Sequence, residues 1–394
     1  MKKNILFITK FIPAPAYGGG LKRNLSWIKF LSKYFNVDII GFWNKDFGDS
    51  MINEIKSYAN NIYGYKFIRT KLSFAKNVFN SIITREPIVN QQFYLKKIEN
   101  KIEELCKERN YEFVFFAEVA TTIYKHCINN LPYYFDDHNV EYELIKRTAK
   151  FSKFPLKIAY KRDSYLMKNK EKKALEQSEY NFFVSERDKN MFSKNIQIKS
   201  SVVNNTYEDC LPSNNLISDN PSIVFVGSLS WKPNKLGLLY FINNLYPKIL
   251  DKYPNVVFNI VGSSINREIK KYDNIMNIKI SENAPEEIKK EIIDKSWLCI
   301  VPVYFGSGTR IKILEYWSHS KPVVSTSIGA EGLISSQGTF IEDNDEKMID
   351  RIDQLLSNRK IIKKLGDYNY KCFKKNYNEE AVYGDTLYNT IFTK

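Results

Sequence analysis

Histidine and cysteine are scarce in this 394-residue chain, which holds 3 of the first and 5 of the second. Cys106, Cys127, Cys210, Cys299 and Cys372 form no CxxC pair and are odd in number. Neither a disulfide framework nor a metal site is therefore expected, and a reducing compartment fits. Long apolar runs are missing as well, and none approaches the ~20 residues a membrane-crossing helix needs. Met1 to Asn4 is basic and Ile5–Ile8 apolar, but the run stops at Thr9-Lys10, without a small-residue cleavage site after it. The expected location is cytoplasmic, compatible with a peripheral position on the inner face of the cell membrane. The GxGxxG pattern of dinucleotide sites is absent, and there is no internal repeat beyond a generic alternation of strands and helices.

What is present is length, lysine and aromatic rings. A chain this long exceeds one compact core and implies two domains. Hydrophobic residues make up 43 % and charged residues 26 %, as in ordinary globular proteins. The net charge of +15 is spread over the whole length. Such a surface is either simply solvated or a positive field for an anionic partner: a nucleotide diphosphate, an anionic lipid or a nucleic acid.

Trp297–Leu333 organises the rest. An apolar strand, Trp297–Val303, is followed by the turn Gly306-Ser307-Gly308-Thr309. A helical pattern from Arg310 to about Ser318 comes next, then Pro322 and a second strand, Val323–Thr326. Strand, glycine turn, helix and strand form a βαβ unit. A helix N-terminus after such a turn offers free N–H groups and the positive end of a dipole, which suit phosphate oxygens. Glu315 lies about two turns inside, too deep to cap the helix and placed to accept hydrogen bonds from ligand hydroxyls.

The string FGSGTRIKILEYWSHSKPVVSTSIGAEGL closely resembles the donor-binding segment of retaining GT-B glycosyltransferases of the GT4 family (glycosyltransferase group 1). The resemblance extends over about residues 1–365. DDHNVE at 136–141 resembles the family segment whose histidine contacts the donor sugar, which makes His138 a catalytic candidate. Ser185-Glu186 resembles the step that closes the N-terminal sheet. Gly19 and Gly20, at the end of the loop Pro13–Gly20, correspond to a glycine loop near the transferred sugar. After the strand Ile223–Val226, the run from Gly227 to Asn234 resembles the segment that places cations on the donor diphosphate, leaving Ser228, Lys232 and Lys235 as the contacts here. Gly262 ends a further strand in the same manner, and Gly306, Ser307, Gly308 and Thr309 complete the cradle. The family's paired glutamates are separated by seven intervening residues; Glu315 fits the second, the ribose-binding one, while Ser307 stands at the first, so the donor sugar is less defined.

The resemblance implies an α/β GT-B fold, two Rossmann-like doubly wound parallel-sheet domains facing across a cleft. Residues 1–207 would form the acceptor-side domain and 222–375 the donor-nucleotide domain, with Glu208–Pro221 as the hinge. Residues 376–394 would return to the first domain. The implied activity is metal-independent, retaining transfer of a hexosyl group from a nucleoside-diphosphate sugar, UDP- or GDP-linked, to a hydroxyl on a glycan or lipid-linked acceptor. No further cofactor is expected, and bacterial surface polysaccharide synthesis is the usual setting. Two other classes stay open: a GT-B sugar-nucleotide epimerase and a basic nucleic-acid-binding protein, although dispersed lysine argues against the latter.

Other motifs have simpler readings. Asp343-Asn344-Asp345 has metal-chelating spacing but precedes a helical pattern, so capping is expected. Residues 50–110 read as mostly helical. Ser73–Ile83, with Phe74, Val78, Phe79 and Ile82 beside Lys71 and Lys76, is expected to pack on its own domain; an anionic membrane is the alternative. Lys146–Lys173 reads as a basic, solvated helix.

Overall fold

The structure is a computed structural model and describes residues 2–14, 16, 18–43, 49–210, 217–306 and 308–392. The chain divides into two compact units, Met1–Asn205 with Tyr383–Lys394, and Thr206–Val382. Among the described residues the first unit is built on β1 (Asn4–Phe11), β2 (Asn36–Trp43), β3 (Asn61–Lys66), β4 (Tyr111–Ala117), β5 (Tyr133–Asp137), β6 (Tyr180–Phe183) and β7 (Ser200–Val202). They form one parallel sheet in the order β3-β2-β1-β4-β5-β6-β7. The second unit is built on β8 (Ser222–Val226), β9 (Val257–Gly262), β10 (Ile278–Glu282), β11 (Leu298–Val301), β12 (Val323–Ser325) and β13 (Thr339–Ile341). Their order is β10-β9-β8-β11-β12-β13, again parallel.

Both sheets are doubly wound. The chain runs outward from the first strand one way, then returns to continue on its other side. The reversal falls between β1 and β4 in one unit and between β8 and β11 in the other, and ligands of such sheets bind beyond the carboxyl ends of the strands at that point. The central strands are apolar throughout because helices cover both faces. Ile5, Leu6 and Phe7 are fully buried, as are Ile223, Val224 and Phe225. Each such side chain contributes about 1.5–3 kcal/mol on burial. In the first unit Phe7 stacks on Phe115, with centroids 5.0 Å apart, and Trp27 packs against Phe115 and Phe182. The last helix, Asp385–Phe392, joins this unit, with Tyr388 stacked on Tyr34 at 3.8 Å.

Several elements depart from the sequence reading. Asn61–Lys66 is a strand inside the stretch read as helical; its half-buried edge position hides the alternation of a covered strand. Lys146–Lys173 is two helices, Glu141–Lys150 and Leu156–Gln177, because Pro155 cannot continue the first. The second unit begins at Thr206, inside the expected first domain, because Tyr207 is buried in it and bonds the backbone of Tyr377. It also keeps residues 376–382, expected to return to the first, since Tyr377 packs on Trp317 at 5.7 Å. The helix Lys71–Thr84 packs on its domain through Ser81 rather than through its apolar side chains: Leu72, Phe74, Phe79, Ile82 and Ile83 are exposed. Asp343 accepts from the Ser327 N–H and Asp345 from the Tyr240 hydroxyl, while Asn344 caps the helix Asp345–Leu356.

Candidate functional site

In the second unit the loop from β11 reaches the helix Ile311–Ser318 through Gly306 and Gly308, at φ 129° and 84°. These are values that favour glycine, since a Cβ would clash with the backbone. At Gly306 a Cβ would also lie 2.8 Å from Arg310 Nη2. The helix N-cap is Arg310, whose side chain makes no capping bond to the first turn. Its guanidinium instead donates to Gly308 O at 2.9 Å and lies 4.7 Å above the Trp231 ring. The Thr309 hydroxyl and the Tyr304 hydroxyl are buried with no hydrogen-bond partner among the described residues. Ser307 lies outside the described residues.

A second cation comes from inside the helix. Lys312 donates to Asn234 Oδ1 at 2.8 Å, and Asn234 Nδ2 donates to Ser228 O at 2.8 Å. The same ammonium lies 4.2 Å from the Phe225 ring centroid, and a Cβ on Gly227 would approach it to 2.7 Å. The turns after β8 and β11 are thus tied together at the switch point. Burial, with Arg310 adding like-charge repulsion, brings the Lys312 pKa down to about 7. Of the two cations chosen from sequence, Lys232 is exposed and Lys235 is paired with Glu268 at 2.8 Å. Gly262 packs backbone to backbone on Gly227, whose carbonyl oxygen a Cβ would meet at 2.1 Å.

Three residues after Lys312, Glu315 is nearly buried. Its Oε1 accepts from the Tyr207 hydroxyl at 2.7 Å and from Lys289 Nζ at 2.6 Å. Burial pulls the Lys289 pKa down, but Glu315 and Glu286 together raise it above the ordinary value. The carboxylate is therefore oriented by groups from two other elements.

The first unit gathers charge at its own switch point. Gly19 and Gly20 are the first residues of the helix Gly19–Ser32 rather than loop, because Gly18 takes φ 85° and turns the chain in. Pro15 and Tyr17 of the preceding loop lie outside the described residues. A Cβ on Gly20 would sit 3.5 Å from His138 Nδ1 and 3.6 Å from Glu118 Oε1, so helix start and imidazole are neighbours. His138 Nε2 is 2.8 Å from Asp136 and Nδ1 is 3.5 Å from Glu118. Asp136 is clasped by Arg23 Nε at 2.8 Å and Nη2 at 2.5 Å, and Glu118 by Lys10 at 2.9 Å. Burial opposes charge on His138, but Asp136 and Glu118 outweigh it and raise its pKa. Burial likewise opposes ionisation of Glu118, yet Lys10 and His138 bring its pKa to about 2. The ring thus lies between two carboxylates, both of which favour its protonated form. The other histidines lie elsewhere: His319 is 2.8 Å from Asp294, and His126 Nδ1 is 3.0 Å from Ile123 O.

Sequence reasoning missed Arg310 and Lys312 at the glycine turn, Lys289 and Tyr207 on Glu315, and Lys10, Arg23 and Glu118 around His138. Lys312 was the readable one: it stands three residues before Glu315, on the same helical face. Arg310 stands in the same turn, while Lys289, Tyr207, Lys10, Arg23 and Glu118 come from distant segments and carried no local signal.

Two doubly wound parallel-sheet domains of this order constitute the two-domain, Rossmann-like GT-B fold. The structure is similar, over 100 % of both chains, to Anabaena Alr3699/HepE solved with UDP, at TM-score 0.66 and 13 % identity. It is similar to a glycosyltransferase from Rickettsia africae over 100 % of this chain and 99 % of that one, at TM-score 0.64 and 16 % identity. TarM matches over 98 % of each chain, at TM-score 0.66 and 12 % identity. Within this fold, residues 220–358 match the family model described as "Glycosyl transferases group 1". Over its whole length the chain is similar to an uncharacterized 44.6 kDa protein in the cps region of Klebsiella pneumoniae, 24 % identical over 396 residues, covering 96 % of this chain and 97 % of that protein.

Proposed function

We propose that this protein is a metal-independent, retaining glycosyltransferase of GT4 type that moves a hexosyl group from a nucleoside-diphosphate sugar to a hydroxyl of a glycan or lipid-linked acceptor. The observation that carries the reading is the mouth of the helix Ile311–Ser318. The Gly306 and Gly308 turn, the partnerless Thr309 hydroxyl, Arg310 and Lys312 stand together at the N-terminal end of that helix, with Glu315 a turn further in. Arg310 and Lys312 supply positive charge for a diphosphate, and Lys232, next to Trp231 at the start of the helix after β8, adds to it. Glu315, already oriented by Tyr207 and Lys289, accepts from the ribose hydroxyls.

In the reaction the bond from the anomeric carbon to the diphosphate oxygen breaks and a bond to the acceptor oxygen forms on the same face. The acceptor proton goes to the departing phosphate oxygen. Charge grows on the diphosphate, where a preorganised cradle stabilises it more than it stabilises the ground state. His138, beside Gly19 and Gly20, positions the sugar. The group 1 match, the UDP and UDP-glucose that occupy HepE, and the cps-region relative support a UDP-sugar donor and a role in surface polysaccharide synthesis.

A thermal-shift series with UDP-, GDP- and ADP-sugars tests the proposal, because a ligand that binds the folded state raises its midpoint. Stabilisation by one nucleotide class in the native protein and its loss in Lys312→Ala is the expected result. No stabilisation by any of them rejects the reading.

A further inference from the structure

The helix Lys71–Thr84 is amphipathic the wrong way round for a soluble domain. Among its side chains whose burial is described, the buried one is Ser81, a polar residue, whereas Leu72, Phe79, Ile82 and Ile83 face outward. Leu72 is 81 % exposed. The helix does not owe its form to burial of an apolar stripe. Thr70 and Ser73 close a reciprocal capping box at its start, and Arg162 holds its far end through Ser81 Oγ at 3.0 Å and Ser81 O at 2.8 Å.

Arg162 belongs to Leu156–Gln177, and there the same inversion continues. Phe154 is 80 % exposed, and Leu156, Ile158 and Tyr165 are more than half exposed. Between this helix and Glu141–Lys150 lies a cavity of about 580 Å³, floored by Tyr142 and Ala149 and ringed by Lys146, Lys150, Lys157, Lys161 and Lys168. Neither residues 55–85 nor residues 144–162 contain an acid. Exposed large apolar side chains and lysines thus occur together on two helices that Arg162 ties to each other.

We propose that this face docks the protein on a bilayer containing anionic phospholipid. Leu72, Phe79, Ile82, Ile83 and Phe154 enter the headgroup–acyl boundary, and the lysine-ringed cavity holds lipid phosphates. Lysine keeps its stem along apolar surface while its ammonium stays among phosphates, so the mixture suits a membrane interface. A protein partner fits less well, because lysine is depleted at the core of such contacts. A nucleic acid would supply the phosphates but nothing to cover the aliphatic side chains.

Co-sedimentation of the full chain with vesicles tests this, using phosphatidylcholine alone or mixed with phosphatidylglycerol. The native protein binds the mixed vesicles at least about tenfold better, and added salt weakens the binding. Phe79→Ser/Ile82→Ser/Ile83→Ser lowers that binding about tenfold or more, since each buried CH₂ counts. Lys157→Glu/Lys161→Glu removes the preference for anionic lipid. Both variants keep the native thermal midpoint and its shift by sugar nucleotide, because the changed residues are exposed and lie outside the donor site. Equal binding to both vesicle types, or unaltered binding by the folded variants, overturns the proposal. So does a native dimer in analytical ultracentrifugation that the triple substitution dissolves while vesicles bind neither form.

Discussion

Lys312 Nζ lies 2.8 Å from Asn234 Oδ1, and this one contact joins the helix after β11 to the turn after β8. A cation held there by a neutral amide, beside Arg310, has a reason to lose its proton that an anionic ligand would remove.

Nucleotide binding is therefore expected to depend on pH. With the free-state Lys312 pKa at about 7 and a higher value opposite a diphosphate, binding is proton-independent below 7. Above 7 it takes up a proton, so Kd rises by up to about tenfold per pH unit until the bound-state pKa is passed. Titration calorimetry across pH 6–9 (roughly the span of one such shift) reads the slope. Lys312→Arg, charged throughout, flattens it.

Glu315→Ala is expected to raise the Kd for sugar nucleotide about 10- to 100-fold, the worth of hydrogen bonds to a charged group. It also strips the buried Tyr207 hydroxyl of its 2.7 Å acceptor, which costs about 1–3 kcal/mol of stability. Glu315→Gln keeps an acceptor for Tyr207, so it loses affinity with a smaller fall in midpoint. Calorimetry beside thermal melts separates the two effects, and native affinity in folded Glu315→Ala would end the ribose assignment.

The glycines divide by what surrounds them. Gly262→Ala forces a Cβ against Gly227 O at 2.1 Å and is expected to destabilise the second unit by about 1–3 kcal/mol or more. Gly20→Ala meets its nearest atoms at 3.5 Å and 3.6 Å, ordinary contact, and should stay within about 0.5 kcal/mol of native. Urea denaturation measures both. A loss of transfer in stable Gly20→Ala marks the helix start as part of the reacting site.

His138 links stability to pH. Its folded-state pKa is raised, so the stability from its charge is fully present below the unfolded value near about 6.5 and is lost as pH rises through the folded value. The stability gap between native protein and His138→Gln should therefore shrink from neutral to alkaline pH, as denaturation midpoints will record. The same variant is expected to lower kcat about 10- to 100-fold with little change in donor Kd, since the imidazole is assigned to the sugar and not to the diphosphate.

Much of the candidate site at the second glycine turn was legible because it is contiguous. Gly306, Gly308, Thr309 and Glu315 lie within ten residues, and strand, glycine turn and helix periodicity announce them together. Lys232 and Lys235 show the limit of that reading. Both are near in sequence to the turn after β8, yet Lys235 is taken by Glu268 and Lys312 reaches Gly227 from another segment. Periodicity tells which face a residue shares, but not which neighbouring face its side chain meets.

The apolar strand runs, the glycine turns and the breaks at Pro155 and Pro322 were set by the sequence itself, since backbone sterics and the alternation of apolar residues are local properties. Tertiary structure alone decided that Arg23, 113 residues before Asp136, would clasp it beside His138, and that Tyr207 would leave the expected first domain to bond Glu315. It alone turned Leu72 and Phe79 outward, where a helical pattern by itself implies burial. Such pairings form only when a sheet gathers the ends of distant strands, and their energies depend on distance and desolvation that no spacing along the chain encodes.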